Sequence, residues 1–280
     1  MINENTKLET QTDTGGFANA MLGDVLLYHD DCFNIFPTIP DNSVDLILAD
    51  LPYGTTNCKW DVILPFDKLW EQYFRVLKPN GNIVLFATQP FTSNLVMSNP
   101  NKFKENITWI KHKASNFGNA KIMHLKYTED IVVFGGTKRT YNPQLQPRKS
   151  TRVKEAQKGN SKNWSTAKHY TNEVSFSTNY EAREWTVYDA NLKLPPNYIE
   201  VPAVVSNSKE KVDHPTQKPI KLLNYLIKTY SNEGDLVLDN TMGSGSTGVA
   251  CKITNRKFIG IEKEEKYFNI AKDRIFGELF

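Results

Sequence analysis

Leu236-Val237-Leu238-Asp239, followed by Asn240-Thr241-Met242-Gly243-Ser244-Gly245-Ser246-Thr247-Gly248, is the stretch from which the fold is read. A short apolar run feeds a glycine-rich turn, and the turn feeds a segment of helical pattern, Ser246–Ile253. Next comes Lys257-Phe258-Ile259-Gly260-Ile261-Glu262, a second apolar run that ends in an acid 17 residues after Gly245. That is close to the ~20 residues that separate a nucleotide-binding turn from the carboxylate that takes a ribose. Glycines let the backbone approach a ligand, and an acid at the tip of the next strand accepts hydrogen bonds from ribose hydroxyls. A G-x-G alone fits any tight turn before a helix; with Glu262 it favours an adenosine-containing ligand. No lysine directly follows the glycines, which argues against an NTPase phosphate loop. A nicotinamide dinucleotide and S-adenosylmethionine both remain. Asp239 favours the second, because an acid there attracts a cationic methionine moiety and repels a pyrophosphate.

Outward from this turn, apolar runs alternate with helical patterns. Val25–Tyr28, Val44–Ala49 (VDLILA), Asn82–Thr88, Ile107–Ile110 and Ile131–Phe134 read as strands, with Leu236–Leu238 and Phe258–Ile261. Phe66–Leu77, Pro219–Tyr230 and Glu264–Ile275 carry apolar residues at helical spacing, and Lys78-Pro79-Asn80-Gly81 reads as the stop of the first. Continuous apolar strands alternating with helices imply an α/β, doubly wound, mostly parallel sheet covered on both faces. Residues 1–20 are polar and aperiodic and read as a disordered tail. Residues 21–136 and 213–280 read as two halves of one core, interrupted by an irregular segment at 137–212.

In such a sheet ligands sit beyond the carboxyl ends of the strands. The strand Val44–Ala49 delivers Asp50-Leu51-Pro52-Tyr53-Gly54 to such a place. Asp50 and the Pro52 carbonyl can accept hydrogen bonds from an amino group, and Tyr53 can stack on a flat ring. Asp, Pro and Gly are equally common in ordinary strand-ending turns, so the turn alone is ambiguous. Charge adds a second sign. Between Lys138 and Lys168 nine basic residues face one acid, Glu155, a local charge of about +8 in a chain of net +3. Lys138, Arg139, Arg148, Lys149, Arg152 and Lys154 lead that run, which reads either as a solvated loop or as a contact surface for a polyanion.

In these motifs the chain resembles the S-adenosylmethionine-dependent DNA amino methyltransferases, which modify adenine N6 or cytosine N4 and carry an Asp/Asn/Ser-Pro-Pro-Tyr/Phe/Trp turn. The resemblance runs from about residue 22 and follows the order of the family's beta group. Asp50-Leu51-Pro52-Tyr53 comes first, the basic stretch stands where target recognition lies, His214-Pro215-Thr216-Gln217-Lys218-Pro219 follows, and Asp239–Gly245 with Glu262 comes last. The resemblance implies a Rossmann-like methyltransferase fold with an inserted target-recognition region. It implies Asp50, Pro52 and Tyr53 as catalytic residues, with the base flipped out of the duplex and stacked on Tyr53. It implies that Asp239, Gly243 and Gly245 line the cofactor and that Glu262 takes its ribose. Asp31 would lie near the adenine, and Lys218 and Pro219 would begin the helix flanking the methionine end. Asp at position 50 points to adenine N6. Leu51 in place of the first proline spares the contacting groups, whereas Asn240-Thr241 in place of the usual Pro-Phe removes an aromatic from the cofactor motif and implies weaker cofactor binding.

The expected partner is double-stranded DNA, with a homodimer and a cognate restriction endonuclease left open, in the cytoplasm of a bacterium or as a phage product. N4-cytosine methylation, methylation of RNA or of a protein glutamine, and a DNA-binding protein that has lost activity are the alternatives. A nicotinamide-dependent oxidoreductase has no use for the basic segment. Composition agrees with a globular, membrane-free protein: 39% apolar, 23% charged and 11% aromatic over 280 residues. No apolar run approaches the ~20 residues of a bilayer span. The N-terminus has no apolar core of the kind a signal peptide needs. Three cysteines and five histidines without ligand spacing point to a reducing compartment and to no metal. The loop Gly54–Asp61, with Trp60, is positioned to close over the site.

Overall fold

A computed structural model describes residues 18–55, 58, 61–147 and 192–277. In chain order the first elements are β1 (Ala18–Leu22), β2 (Val25–His29), α1 (Cys32–Ile35), β3 (Val44–Ala49) and α2 (Phe66–Val76). They are followed by β4 (Leu77–Ala87), α3 (Phe91–Ser98), β5 (Phe103–Ser115), β6 (Lys126–Gly135) and β7 (Gln146–Pro147). Then come β8 (Leu192–Lys193), β9 (Tyr198–Glu200), α4 (Ile220–Tyr230), β10 (Leu236–Asp239), α5 (Ser246–Ile253), β11 (Lys257–Glu262) and α6 (Glu265–Phe276).

Nine strands form one sheet in the order β1-β2-β11-β10-β3-β4-β6-β5-β9. The middle of the sheet, β2, β11, β10, β3 and β4, is parallel throughout. Strand β6 runs antiparallel to both β4 and β5, and β1 runs antiparallel to β2, so the sheet is mixed toward both edges. The apolar runs at 107–110 and 131–134 are therefore two arms of a hairpin, of which only the second runs against the parallel strands. Every residue of β3 is buried, and the period of two explains why. Leu46 and Leu48 face one core with Leu222, Leu226 and Ile227 of α4 and Ile275 of α6. Ile47 and Ala49 face the other, with Leu69 and Tyr73 of α2 and Leu95 of α3. Helices α4, α5 and α6 thus cover one face and α1, α2 and α3 the other, which is the doubly wound arrangement.

Several elements differ from the expectations of the sequence. Strand β1 begins inside the segment read as a disordered tail and pairs antiparallel with β2 from Ala18↔His29 to Leu22↔Val25. Residues 1–17 lie outside the described residues. Lys78–Gly81, read as a stop, are already part of β4, because Val44 of β3 pairs with Leu77 directly after the helix. The segment 137–212 is not one piece. The chain divides into a unit of Met1–Asn142 with Pro196–Phe280 and a smaller unit of Pro143–Pro195. Within the larger unit Tyr198–Glu200 extends the sheet parallel to β5, and Asn142 N donates to Thr229 O at 2.7 Å. Among the described residues of the smaller unit, β7 and β8 form an antiparallel pair. Arg148, Lys149, Arg152, Lys154 and the remainder of the basic run to Lys168 lie outside the described residues. Among the described residues no helix is long and apolar enough to cross a membrane.

Candidate active site

Strand order reverses direction between β10 and β3, and a cavity of about 750 Å³ opens beyond their carboxyl ends. Val237↔Leu46 and Leu238↔Ile47 set the register of this pair. Continued past the strand ends, the same register brings Thr241 to Asp50. The Thr241 hydroxyl donates to the Asp50 carbonyl at 3.1 Å, and Thr241 N donates to Asp239 Oδ1 at 3.1 Å. One threonine therefore ties the Asp50 turn to the glycine-rich turn. In the sequence it stood out only as a departure from a motif.

Asp50 is the outer end of a largely buried charge chain. Tyr53 donates its hydroxyl to Asp50 Oδ1 at 2.5 Å, and Lys218 donates Nζ to Oδ2. Lys218 Nζ also stands 3.7 Å from Glu129 Oε2, and Lys111 Nζ donates to Glu129 Oε1 at 2.9 Å. The chain alternates in sign, Asp50, Lys218, Glu129, Lys111, so each buried charge meets an opposite one. Burial pushes the Asp50 carboxyl above the ordinary range, with Lys218 pulling against it. Burial works to lower Lys218, but Asp50 and Glu129 outweigh it and keep the ammonium above its usual value. Glu129 is pushed up by burial yet held below the usual value by Lys218 and Lys111. Lys218 is thus a partner of Asp50, and not only a residue flanking the methionine end. Neither Glu129 nor Lys111 is apparent from any motif. The only signal available was the place of Lys111, two residues after the buried Trp109 and on its face of β5, since both strands carry other charges as well.

Asp239 is buried, and burial drives its carboxyl up to about 7 against the hydrogen bonds from Thr247 and Thr241. Glu262 Oε2 accepts from Gly243 N and Oε1 from Glu264 N, both at 2.8 Å. Both backbone donors hold the carboxylate in place while burial raises it. Each oxygen keeps a lone pair for a further donor. Gly243 lies in the left-handed region at φ +51, and a Cβ there would stand 2.8 Å from His214 Nε2. This glycine is how the histidine of the His-Pro-Thr-Gln-Lys-Pro segment packs on the turn. Burial and the nearby Lys218 lower that histidine to about 4, so it is neutral at pH 7.

Of the residues read as cofactor-lining, Asp31, Lys218, Asp239, Gly243 and Glu262 line the cavity. Asp31 also caps α1, its Oδ1 accepting from Phe33 N at 3.0 Å. Gly245 and Pro219 are not among the cavity's walls. A Cβ on Gly245 would meet Ala271 Cβ at 2.8 Å, so this glycine faces α6. Pro219 caps α4 with φ −66. Tyr53 packs its ring on Phe91, with centroids 5.1 Å apart. Asn240 Oδ1 accepts from the Tyr73 hydroxyl at 2.6 Å, which gives this replacement a structural use. The loop expected to close is drawn together at its ends: Gly54 N and Thr55 N both donate to the Asp61 carboxylate at 2.9 Å. Trp60 lies outside the described residues. Of the basic residues, Lys138 is exposed. Arg139 donates to Glu105 at 3.0 Å, and Glu105 also accepts from the Tyr230 hydroxyl at 3.2 Å. Among the described residues no group of His, Cys, Asp and Glu is arranged to hold a metal ion.

S-adenosylmethionine fits this donor set. A buried acid at the turn awaits a cation, and a second acid, fixed by two backbone amides, faces the same cavity. Comparison with known proteins agrees. The family described as DNA methylase matches residues 44–273. The type II methyltransferase M.HpaI of Haemophilus parainfluenzae is 31% identical over 86% of this chain and 70% of its own length. M2.DpnII of Streptococcus pneumoniae is 28% identical over 91% and 90%. The M1.HpyAVI–SAM complex superposes with a TM-score of 0.60 at 26% identity, covering 90% of this chain and 99% of that one. The cytosine-N4-specific PvuII methyltransferase shares the fold, with a TM-score of 0.61 at 16% identity over 93% of this chain and 89% of that one.

Proposed function

The chain belongs to the DNA methylase family of N6 and N4 amino methyltransferases, and we propose that within it this protein methylates the exocyclic N6 amine of adenine in double-stranded DNA. S-adenosylmethionine is the methyl donor of the family. When bound, it supplies an electrophilic methyl on a sulfonium. The observation that carries the reading is the Thr241–Asp50 hydrogen bond, which makes the Asp50 turn and the glycine-rich turn one site.

An exocyclic amine is a poor nucleophile because its lone pair is delocalised into the ring. Asp50 and the Pro52 carbonyl accept its two hydrogens and hold the nitrogen toward tetrahedral geometry. The Asp50 oxygens already accept from Tyr53 and Lys218, and each keeps a second lone pair for the amine. Lys218 keeps Asp50 ionised in a site where burial opposes it. The proton released from the methylated nitrogen passes to Asp50, whose raised basicity suits it to receive one. Tyr53 stacks on the base once the base has left the duplex. Asp239 takes the cationic methionine end, and Glu262 takes the ribose. Much of the acceleration comes from positioning and fixed dipoles.

Asp at position 50 is the ground for adenine; N4-cytosine is the second reading. Type II relatives further suggest a restriction-modification setting with a cognate endonuclease. The test is incubation of unmethylated genomic DNA, and in parallel of total RNA, with labelled S-adenosylmethionine, followed by nucleoside analysis. N6-methyladenine is the expected product. Label in N4-methylcytosine replaces the adenine reading, and label in RNA but not DNA removes DNA as the substrate.

A further inference from the structure

The hairpin that joins β5 to β6 is not used by the chemistry above. Its last ladder pair is Ser115↔Lys126, and residues 116–125 form the tip. The tip is ordered by its own bonds: Asn116 Oδ1 accepts from Lys126 N at 2.8 Å, and Asn119 O accepts from Ile122 N at 2.9 Å and Met123 N at 3.0 Å. On this ordered turn three large apolar side chains face solvent, Phe117 at 61%, Ile122 at 79% and Met123 at 51% exposure. Between Lys111 and Tyr127 there is no acid, while Lys113, Lys121 and Lys126 are all exposed. Ser115, at the root of the tip, lines the same cavity as Asp50. Exposed apolar side chains on a fixed support, flanked by cations at the edge of an active site, need a partner that is both anionic and apolar.

We infer that the β5–β6 tip is a wedge for duplex DNA, in which Phe117, Ile122 and Met123 enter the base stack beside the target nucleotide and Lys113, Lys121 and Lys126 seat on flanking phosphates. Stacked bases offer the apolar surface and phosphates the charge. A second copy of the chain would bring like-charged tips together, so the charges select nucleic acid. The wedge fills the place that the extruded base leaves, which is why it belongs at the cavity rim. The inference rests on the DNA methyltransferase reading.

The test uses the whole protein with two combined variants. Phe117→Ala with Ile122→Ala and Met123→Ala removes the wedge. Lys113→Ala with Lys121→Ala and Lys126→Ala removes the phosphate contacts. Transfer is followed on a mixture of unmethylated bacterial genomic DNAs with tritiated S-adenosylmethionine, and binding on a 30-base-pair duplex of random sequence across a salt series. Loss of the three apolar side chains is expected to lower kcat at least tenfold on duplex, with cofactor affinity and thermal midpoint unchanged. Phe117→Trp, which keeps a large ring, is expected to retain kcat. Loss of the three lysines is expected to make the log–log salt dependence shallower by about 3. Wild-type methylation with unchanged kcat and unchanged salt slope in the two variants overturns the wedge and leaves the methyltransferase reading standing. A monomer–dimer equilibrium abolished by the apolar variant, with kcat intact, overturns it in favour of a second copy. A wild-type protein that neither methylates nor binds the duplex refutes the DNA reading itself, and the wedge with it.

Discussion

In the proposed reaction Asp50 meets two demands that conflict in water: it is to be ionised to accept an amine, yet it stands in a cavity largely screened from solvent. Lys218 resolves the conflict, and Glu129 and Lys111 continue the neutralisation inward. Asp50→Ala is expected to lower methyl transfer by about 10²–10³-fold or more while cofactor affinity survives, as measured by single-turnover transfer and calorimetry. Asp239 predicts a pH dependence with a definite sign. Its folded value of about 7 lies above the ordinary carboxyl value, so the free protein binds more protons than the unfolded chain in that window. Its contribution to stability is present at low pH and is lost as pH rises toward 7. A cationic ligand selects the ionised form, so cofactor affinity is expected to rise between pH 5.5 and 7 and to level above it. Calorimetry in that range checks this, and a flat profile counts against Asp239 as the cationic contact. These roles were only half visible in the sequence. The Asp50 turn and the glycine-rich turn are local signals, whereas Lys218 and Asp50 stand 168 residues apart and meet only through the fold.

At the scale of elements, the strands that were legible are those whose apolar pattern is self-sufficient. Val44–Ala49 is buried on both faces and needs no neighbour to declare itself. Strand β1 is the opposite case, since it is a strand by virtue of its pairing with β2, and its own residues carry no clear alternation. Helix α3 was missed because Phe91-Thr92-Ser93-Asn94-Leu95 offers few apolar positions to set a helical period, and Phe91 and Leu95 do the burying. The glycine-rich turn divides its labour in a way the motif hides. Gly243 serves the cavity wall, while Gly245, at φ +75, lets α5 and α6 approach. Gly245→Ala forces a Cβ against Ala271 and strains the backbone. The expected cost is about 1–3 kcal/mol in urea unfolding, with cofactor affinity of the folded protein unchanged. A large loss of affinity without loss of stability would return Gly245 to the binding site.

Across the whole molecule, the two halves of the core are held in register by a few polar residues in an apolar interior. Asn82, fully buried on β4, donates from Nδ2 to Tyr230 O at 3.0 Å and to Thr140 O at 2.9 Å. It joins the sheet to the end of α4 and to the chain leaving β6. Asn82→Ala leaves both carbonyls without this donor and is expected to cost about 1–3 kcal/mol in denaturant unfolding, while the S-adenosylmethionine site stays intact in the folded fraction. By itself the sequence determined the alternation of strand and helix, the order of the motifs and the class of cofactor, because these depend on short-range spacing and on chemistry carried within a few residues. Only the tertiary structure decided the antiparallel arms beside the parallel sheet, the charge chain from Asp50 to Lys111 and the threonine that binds one turn to the other. Those depend on which surfaces meet after the chain has crossed the sheet. A strand's hydrophobic pattern states that it is buried, and leaves to the fold which neighbour buries it.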